Sequence, residues 1–344
     1  DPTAVDWLQI SRLLLTSRLI DHIEETELVP ARQVFNQISA RGHDFAQILL
    51  GSRLTHTHDG ATGYYRSRPL ALALGLTSED AFAAPLARSG GYSDGRDIGV
   101  VCNLPGAGRL GRGATLLPMS GGVGAQYTPA VGWAQAIAYR TDELKQAQWR
   151  GAIAVATGGD ASASTNGFWS ALNIATTLKL PMLFYMEDNG YGISVPAPLQ
   201  TPGGDHVANL AAWPELKILV GDGTDPLVTP GLIDEAVAHC RDGHGACLLR
   251  LKVPRLCGHT FQDTQTYKTE AFIAEEQTRD PLPKLKLWLE EQGSLNAAGW
   301  AELEQEVERE VRSALEAAQA RPEPDTGKLR RYVMAEKKSD GGIE

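Results

Sequence analysis

The sequence is poor in cysteine. Its 344 residues include four, Cys102, Cys240, Cys247 and Cys257, which form no CxxC pair and no zinc-binding spacing. We therefore expect free thiols in a reducing compartment, and a cytoplasmic location, rather than a disulfide framework. Lys and Arg (32) are outnumbered by Asp and Glu (42), so the formal net charge is −10. With no basic tract, a nucleic-acid partner is not expected.

Long apolar runs are missing as well. None approaches the roughly 20 residues that a membrane-spanning helix needs, and no signal-peptide pattern is visible, so we expect no membrane association. Glycine is abundant, with 36 residues, which indicates many tight turns. The length suits one large α/β domain with helical extensions. We place this domain at residues 1–320, and we expect residues 321–344 to form a flexible tail or linker.

The most informative stretch is a strand–helix–strand unit. Residues 152–157 and 182–186 are apolar runs typical of short buried strands, and residues 168–178 between them have helical spacing. Asp160 follows the first strand and Asn189 the second. In a right-handed βαβ unit both strands end at one edge of the sheet, so the two side chains can face one ion. A carboxylate and an amide oxygen suit Mg2+, which takes its other ligands from water and phosphate.

Small residues follow the first strand of this unit. Ala161, Ser162 and Ala163 would let backbone N–H groups approach a phosphate where the next helix begins. The residues themselves therefore predict a Mg2+ site with a diphosphate beside it.

These residues also carry a resemblance to a known family. The stretch from residue 159 to residue 194 resembles the thiamine diphosphate motif, in which GDG is followed by an Asn pair. More narrowly, it resembles the alpha subunit of the decarboxylating dehydrogenase of 2-oxo acid dehydrogenase complexes. The resemblance implies that Asp160 and Asn189 bind Mg2+, together with the main-chain carbonyl of Tyr191. The chain departs from the motif at Ala161, in place of the last Gly, and at Asp188, in place of the first Asn.

The same resemblance implies a set of cofactor-binding residues. Tyr65 and Arg66 lie where the family has a Tyr-Arg pair that reaches the diphosphate, and a guanidinium forks well onto phosphate oxygens. The alternative is a solvated Arg beside core tyrosines. The Gly-rich segment after residue 119 resembles one whose backbone meets the aminopyrimidine ring, which makes Gly121 and Val123 candidates. The full predicted set is Tyr65, Arg66, Gly121, Val123, Gly159, Asp160, Ala161, Ser162, Asn189 and His259.

Two histidines occur in segments that resemble the family. His259 follows the apolar strand 246–253 in a segment similar to the family's R-x-x-G-H-(S/T), whose histidine binds the cofactor phosphate and lies beside the reaction centre. We therefore predict a catalytic role for His259, although an isolated His near a strand end is usually structural. His43 precedes a predicted helix. It could face the active site, but we favour a structural capping role.

Two glycine motifs are set aside. Gly106-Ala107-Gly108 lacks the strand–GxGxxG–helix context of a dinucleotide site. The literal Gly221-Asp222-Gly223 is followed, at the distance where the Asn pair should occur, by the apolar run 246–253. We therefore expect neither to bind a cofactor.

The resemblance covers residues 5–320 and implies fold, reaction and partners together. It implies a doubly wound parallel α/β sheet with helices on both faces, the thiamine diphosphate-binding fold, with helical extensions. The implied reaction is oxidative decarboxylation of a 2-oxo acid, with transfer of the acyl group to a lipoyl group on an acyltransferase. It also implies an α2β2 assembly, in which the cofactor lies between alpha and beta subunits.

The substrate remains open at this point. The Tyr64-Tyr65-Arg66 loop and the Leu-rich stretch after it favour branched-chain 2-oxo acids, with pyruvate and acetoin as alternatives. Two other classes of function also remain. One is a transketolase-like thiamine enzyme, and the other is a cofactor-binding or scaffold subunit without catalysis of its own.

Overall fold

The computed structural model describes residues 5–92, 94–96, 103–106, 113–331 and 334. Its centre is a sheet of six parallel strands. The strands are β1 (Gly60–Thr62), β2 (Thr115–Leu116), β3 (Ala154–Gly159), β4 (Met182–Asp188), β7 (Leu216–Asp222) and β8 (Ala246–Lys252). Their order across the sheet is β2-β1-β3-β4-β8-β7. A small antiparallel hairpin, β5 (Tyr191–Gly192) and β6 (Val195–Pro196), follows β4.

Helices surround the sheet. They are α1 (Trp7–Ile23), α2 (Asp44–Arg53), α3 (Arg68–Ala73), α4 (Ser78–Ala83), α5 (Tyr127–Ala138), α6 (Asn166–Thr177), α7 (Thr229–Arg241), α8 (Glu270–Thr278), α9 (Pro281–Glu291) and α10 (Ala297–Ala320). Short π-helical turns extend α1 through Glu24–Leu28 and α5 through Tyr139–Glu143. Across the part of the chain that the structure describes, no helix has the length and apolar character needed to cross a bilayer.

Each face of the sheet has its own hydrophobic core, because alternate side chains of a strand point to opposite faces. In β4, Leu183 and Tyr185 belong to one buried cluster, whereas Met182, Phe184 and Met186 belong to the other. The first cluster includes side chains of α1 to α4, α7, α9 and α10. The second includes side chains of α5 and α6. Helices therefore cover both faces, which confirms the predicted doubly wound α/β class.

The direction of the chain across the sheet reverses between β1 and β3. From β1 the chain continues to the edge strand β2, whereas β3 pairs with the other side of β1 and leads to β4. In open parallel sheets such a reversal leaves a crevice outside the carboxyl ends of the strands. Residues 63–66 follow β1 and residues 160–164 follow β3, so the two loops flank this crevice.

Most predicted elements are present, and the missed ones are short. The strands expected at 152–157 and 182–186 are β3 and β4, and the helix between them is α6. Strands β1 and β2 were not predicted, since three and two residues are too few to show a period. Cys240 and Cys247 are buried free thiols and Cys257 is a half-buried one, as expected; Cys102 lies outside the described residues.

The proposed tail and the glycine motif at 106–108 fall partly outside the described residues. Within the described part, Arg321 forms ion pairs with Glu79 and Asp80 at 2.6 and 2.8 Å. The boundary at residue 320 stays a prediction. Gly106 is described, whereas residues 107 and 108 are not.

Candidate functional site

A cavity of about 280 Å3 opens at the carboxyl ends of the strands. Every loop that the sequence singled out at this edge contributes to its wall. The lining residues are Tyr64, Tyr65, Arg66, Gly122, Val123, Gln126, Gly159, Asp160, Ala161, Ser162, Asn189, Tyr191, Gly192, Ile193, Val195, Gln200, Arg255 and His259. Of the residues predicted to bind a cofactor or metal, Gly121 is the one missing from this wall, and its neighbour Gly122 lies there instead. The binding roles themselves stay predictions.

Asp160 is a buried carboxylate without a partner. It begins the helical turn Asp160–Ser164 directly after β3 and is only 6% exposed. Neither carboxylate oxygen has a hydrogen-bond partner among the described residues. Burial raises the pKa of Asp160 to about 7, and the nearby Asp188 carboxylate adds to the rise. The N–H groups of Asp160 and Asn189 partly offset this rise of the pKa, although neither makes a hydrogen bond of normal geometry. A cation is the group that this carboxylate lacks.

Hydrogen bonds of the Ser162 side chain fix the loop that carries Asp160. The Ser162 hydroxyl donates to the main-chain carbonyl of Gly159 at 2.6 Å and also meets the Tyr127 hydroxyl at 2.5 Å. Because its hydroxyl is used in this way, Ser162 fixes the shape of the loop with its side chain. Its main-chain carbonyl accepts hydrogen bonds from the N–H and the hydroxyl of Thr165, at 3.2 and 2.8 Å, which fix the loop further.

The second polar loop presents Asn189 in a fixed orientation. Its Oδ1 accepts a hydrogen bond from the Tyr191 N–H at 3.1 Å, so the amide oxygen faces the hairpin side of the cavity. Its Nδ2 lies 3.3 Å from Nε2 of His43. Gly190, at φ +77°, makes the turn between the two residues. An amide oxygen and an unpaired carboxylate, one from each strand end, are therefore available at the same cavity.

Arg66 is a buried cation without a carboxylate. It is 2% exposed, which excludes the alternative of a solvated arginine. Its guanidinium donates to the main-chain carbonyl of Ser39 and, at 3.2 Å, to that of His259. Within the described chain no carboxylate forms an ion pair with it. The Tyr65 ring lies 5.6 Å from its Cζ atom. The group that Arg66 lacks is an anion.

His259 lies beside this guanidinium as a neutral imidazole. The ring atom Nδ1 is 3.5 Å from Nη2 of Arg66. The main-chain N–H of His259 donates to the Asp263 carboxylate at 2.6 Å. Burial, together with the nearby Arg66 and Arg255, lowers the pKa of His259 to about 4. Because Nδ1 faces a donor, the ring proton belongs on Nε2, which can donate to a ligand in the cavity.

Arg255 is a lining residue that the sequence reasoning missed. It is 2% exposed and donates to the main-chain carbonyl of Ile193 at 2.9 Å and to the Tyr267 hydroxyl. Its guanidinium has one carboxylate within 4 Å, that of Asp263 at 3.9 Å. The available signal was its position soon after β8, at the edge where the other polar loops end. Two buried guanidinium groups therefore face one cavity.

Two further expectations have clear outcomes. The prediction that His43 caps a helix was wrong: it occupies the position before α2, but its side chain makes no capping hydrogen bond. Its ring contacts Asn189 instead, because α2 packs against the carboxyl end of β4.

Asp222 of the literal glycine motif lies outside the cavity wall and accepts hydrogen bonds from Thr224 within its own turn.

The fold and the cavity define the class: a doubly wound α/β protein with a charged site at the carboxyl ends of its parallel strands. Sequence comparison then identifies the family. The sequence model of the Dehydrogenase E1 component family matches residues 16–326, so the chain belongs to that family.

Individual relatives are alpha subunits of 2-oxo acid dehydrogenases. The pyruvate dehydrogenase E1 component subunit alpha of Rhizobium meliloti is 28% identical over 272 residues, which cover 77% of this chain and 72% of the relative. The 3-methyl-2-oxobutanoate dehydrogenase subunit alpha of Mycobacterium tuberculosis is 33% identical over 227 residues, 64% of this chain and 58% of the relative. The 2-oxoisovalerate dehydrogenase subunit alpha of Bacillus subtilis is 28% identical over 262 residues, 75% and 74% respectively. These matches confirm the resemblance found from the motifs.

Proposed function

We propose that this chain is the alpha subunit of a 2-oxo acid dehydrogenase that binds thiamine diphosphate with Mg2+. One observation carries the proposal: Arg66 and Asp160 are buried groups of opposite charge that face one cavity, and neither has an ion-pair partner within 4 Å among the described residues. An unpaired buried ion costs several kcal/mol, so the pair indicates a ligand that supplies both missing charges. A diphosphate supplies the anion and its Mg2+ the cation.

The residues present fit this ligand. Asp160, the Asn189 amide oxygen and the Tyr191 carbonyl are oxygen donors of the kind that Mg2+ prefers. Among the described residues no cluster of three His, Cys, Asp or Glu side chains forms a metal site, so a softer metal has no competing centre here. Arg66 offers a planar fork for the diphosphate, and the Nε2 proton of His259 offers a further hydrogen bond.

The chemistry divides between cofactor and protein. When bound, thiamine diphosphate supplies the carbanion chemistry that decarboxylates a 2-oxo acid. The chain's own residues would bind and orient this group: Asp160 and Asn189 would hold the metal, and Arg66 would hold the phosphate. His259, neutral above about pH 4, would donate a hydrogen bond from Nε2 to the bound ligand. The acyl group would then pass to a lipoyl group on the acyltransferase partner.

Exposed apolar side chains beside the cavity support a beta subunit as partner. Val123, Ile193 and Val195 line the cavity and are 56%, 58% and 42% exposed. Leu199, close by in sequence, is 78% exposed. Contiguous apolar surface around a charged site is typical of an interface. We propose that the beta subunit covers this rim and completes an α2β2 enzyme.

The partner requirement gives a direct test of the proposed function. We expect the purified chain to be inactive with a 2-oxo acid, thiamine diphosphate, Mg2+ and an artificial electron acceptor, and to become active when its beta subunit is added. The reason is that the chain provides only one wall of the cofactor site. Release of carbon dioxide and reduction of the acceptor are the measurements. Substantial turnover by the chain alone would contradict the proposal.

The same assay ranks the substrates. We propose branched-chain 2-oxo acids, so the reconstituted enzyme should have a higher kcat/KM for 2-oxoisovalerate than for pyruvate or acetoin. Support comes from the aromatic Tyr64 and Tyr65 at the cavity and from relatives named for branched-chain substrates. A relative named for pyruvate makes pyruvate the runner-up. A preference for pyruvate or acetoin would overturn the substrate proposal and leave the thiamine site intact.

A further inference from the structure

A series of buried polar groups leads from the sheet to the side-chain amide of Asn189. Glu187, in β4, is 0% exposed, and His43 behind it is 1% exposed. Nδ1 of His43 lies 3.7 Å from Oε2 of Glu187. On the other side of the ring, Nε2 lies 3.3 Å from Nδ2 of Asn189. The imidazole therefore stands between a buried carboxylate and the side chain of a proposed Mg2+ ligand.

Hydrogen bonds fix the direction of the Asn189 amide, and with it the tautomer of His43. The Tyr191 N–H donates to Asn189, so the atom that receives it must be Oδ1, and Nδ2 must face the imidazole. Since Nδ2 is a donor, Nε2 of His43 must be the acceptor, and the ring proton belongs on Nδ1. The nearest carboxyl oxygen to that nitrogen is Oε2 of Glu187, which at 3.7 Å is close enough for an electrostatic contact but too far for a hydrogen bond.

The Glu187 carboxyl group, at the end of this series of polar groups, is itself held rigidly. The amide Nε2 of Gln47 lies 2.9 and 3.0 Å from its two oxygens, and the Tyr64 hydroxyl donates to Oε2. The other amide atom of Gln47, Oε1, accepts from the Leu70 N–H at 3.3 Å. Glu187 cannot turn toward the cavity without breaking these contacts. It provides a fixed carboxyl group for the ring to face.

We propose that His43 is a positioning residue for the metal site: it accepts a hydrogen bond from the Asn189 amide, directs Oδ1 toward the metal and polarises it. The inference rests on the proposed function, because it requires Asn189 to bind the metal. Outer partners that orient a ligand in this way typically contribute 10–100-fold to metal affinity. Loss of the acceptor would leave the Nδ2 donor without a partner and would leave the Tyr191 N–H as the one hydrogen bond that still orients the amide.

Metal affinity tests this inference without relying on turnover. The probe is Mn2+, titrated into the full chain with its beta subunit and thiamine diphosphate, with free Mn2+ followed by its paramagnetic resonance signal. We expect His43→Phe, which keeps a planar ring but has no acceptor, to weaken Mn2+ binding by about 10–100-fold. His43→Gln can turn its amide oxygen toward Asn189, so it should stay within about threefold of the native protein. Equal affinities for His43→Phe and the native protein would overturn the inference.

Two additions separate the possible failures. Asp160→Asn and Asn189→Ala remove proposed ligands directly, so the proposed function fails if neither variant weakens Mn2+ binding. If these two variants weaken binding and His43→Phe does not, only the role of His43 is refuted. The second addition measures the His43 tautomer in the native protein, which does not depend on the metal affinity of any variant. In nitrogen-15 spectra of histidine-labelled protein, the signal that disappears in His43→Gln should be that of an Nδ1–H tautomer. An Nε2–H tautomer there would also overturn the inference.

Discussion

The substitution Asp160→Asn is expected to abolish Mg2+-dependent binding of thiamine diphosphate and, at the same time, to stabilise the cofactor-free chain. The carboxylate is 6% exposed and has no hydrogen-bond partner among the described residues, so its charge opposes folding until a cation arrives. A neutral amide of the same shape removes that cost, which we expect to raise the free energy of unfolding by about 1–3 kcal/mol. Binding should weaken by more than about 100-fold, beyond the loss typical of an outer partner.

Calorimetric titration of the chain with its beta subunit measures the first effect, and urea unfolding of the cofactor-free chain measures the second. The matched control is Asp222→Asn, which alters the acid of the literal glycine motif. Asp222 lies outside the cavity wall, so binding should not change. Unchanged binding in Asp160→Asn would refute the metal-ligand assignment. A native protein that binds no thiamine diphosphate, even with the beta subunit, would instead favour a scaffold role.

The second large effect concerns stability alone. Arg68→Met should lower the free energy of unfolding by about 3–5 kcal/mol, the usual result of removing one partner of a buried ion pair. Arg68 is 2% exposed and binds Asp21 at 2.9 Å and Glu24 at 2.7 Å. Met fills much of the same volume but leaves both carboxylates buried without their cation.

The cost of Arg68→Met should also depend on pH. Burial raises the pKa of Glu24 to about 7, while Arg68 opposes that rise, so the variant has a still higher folded-state pKa. A carboxyl group whose folded pKa is raised costs stability as pH rises above its unfolded value, and this cost stops growing once pH passes the folded pKa. Native protein and variant therefore share the same cost up to about pH 7, the native pKa of Glu24, and differ above it. The destabilisation should therefore be smaller at pH 5 than at pH 9. Denaturant unfolding at both values measures it.

Arg312→Met is the control for this pair. Its guanidinium binds Glu27 at 2.7 Å, but the two side chains are 38% and 43% exposed. Exposed pairs contribute about 0–1 kcal/mol, so this variant should stay close to the native protein. A similar loss in both variants would show that burial is not what makes the Arg68 cluster important.

Prediction from sequence worked best where the pattern is local. The periodicity of residues 152–186 gave β3, α6 and β4, because apolar spacing of this kind depends only on neighbours in the chain. It failed for β1 and β2, which owe their pairing to strands far away in sequence. It also failed for His43, whose contact Asn189 is 146 positions distant. No local pattern reports such a contact.

The sequence by itself determined that Asp160 follows β3, Asn189 follows β4 and His259 follows β8, and it singled out Arg66 without predicting the strand before it. Only the tertiary structure decided that Arg66 follows β1, that Arg66 and Asp160 are buried without an ion-pair partner within 4 Å, and that Arg255 lines the same cavity. The physical reason is that the cost of a charge depends on how much water and which partners surround it. Those surroundings come from loops that the order of the strands brings together.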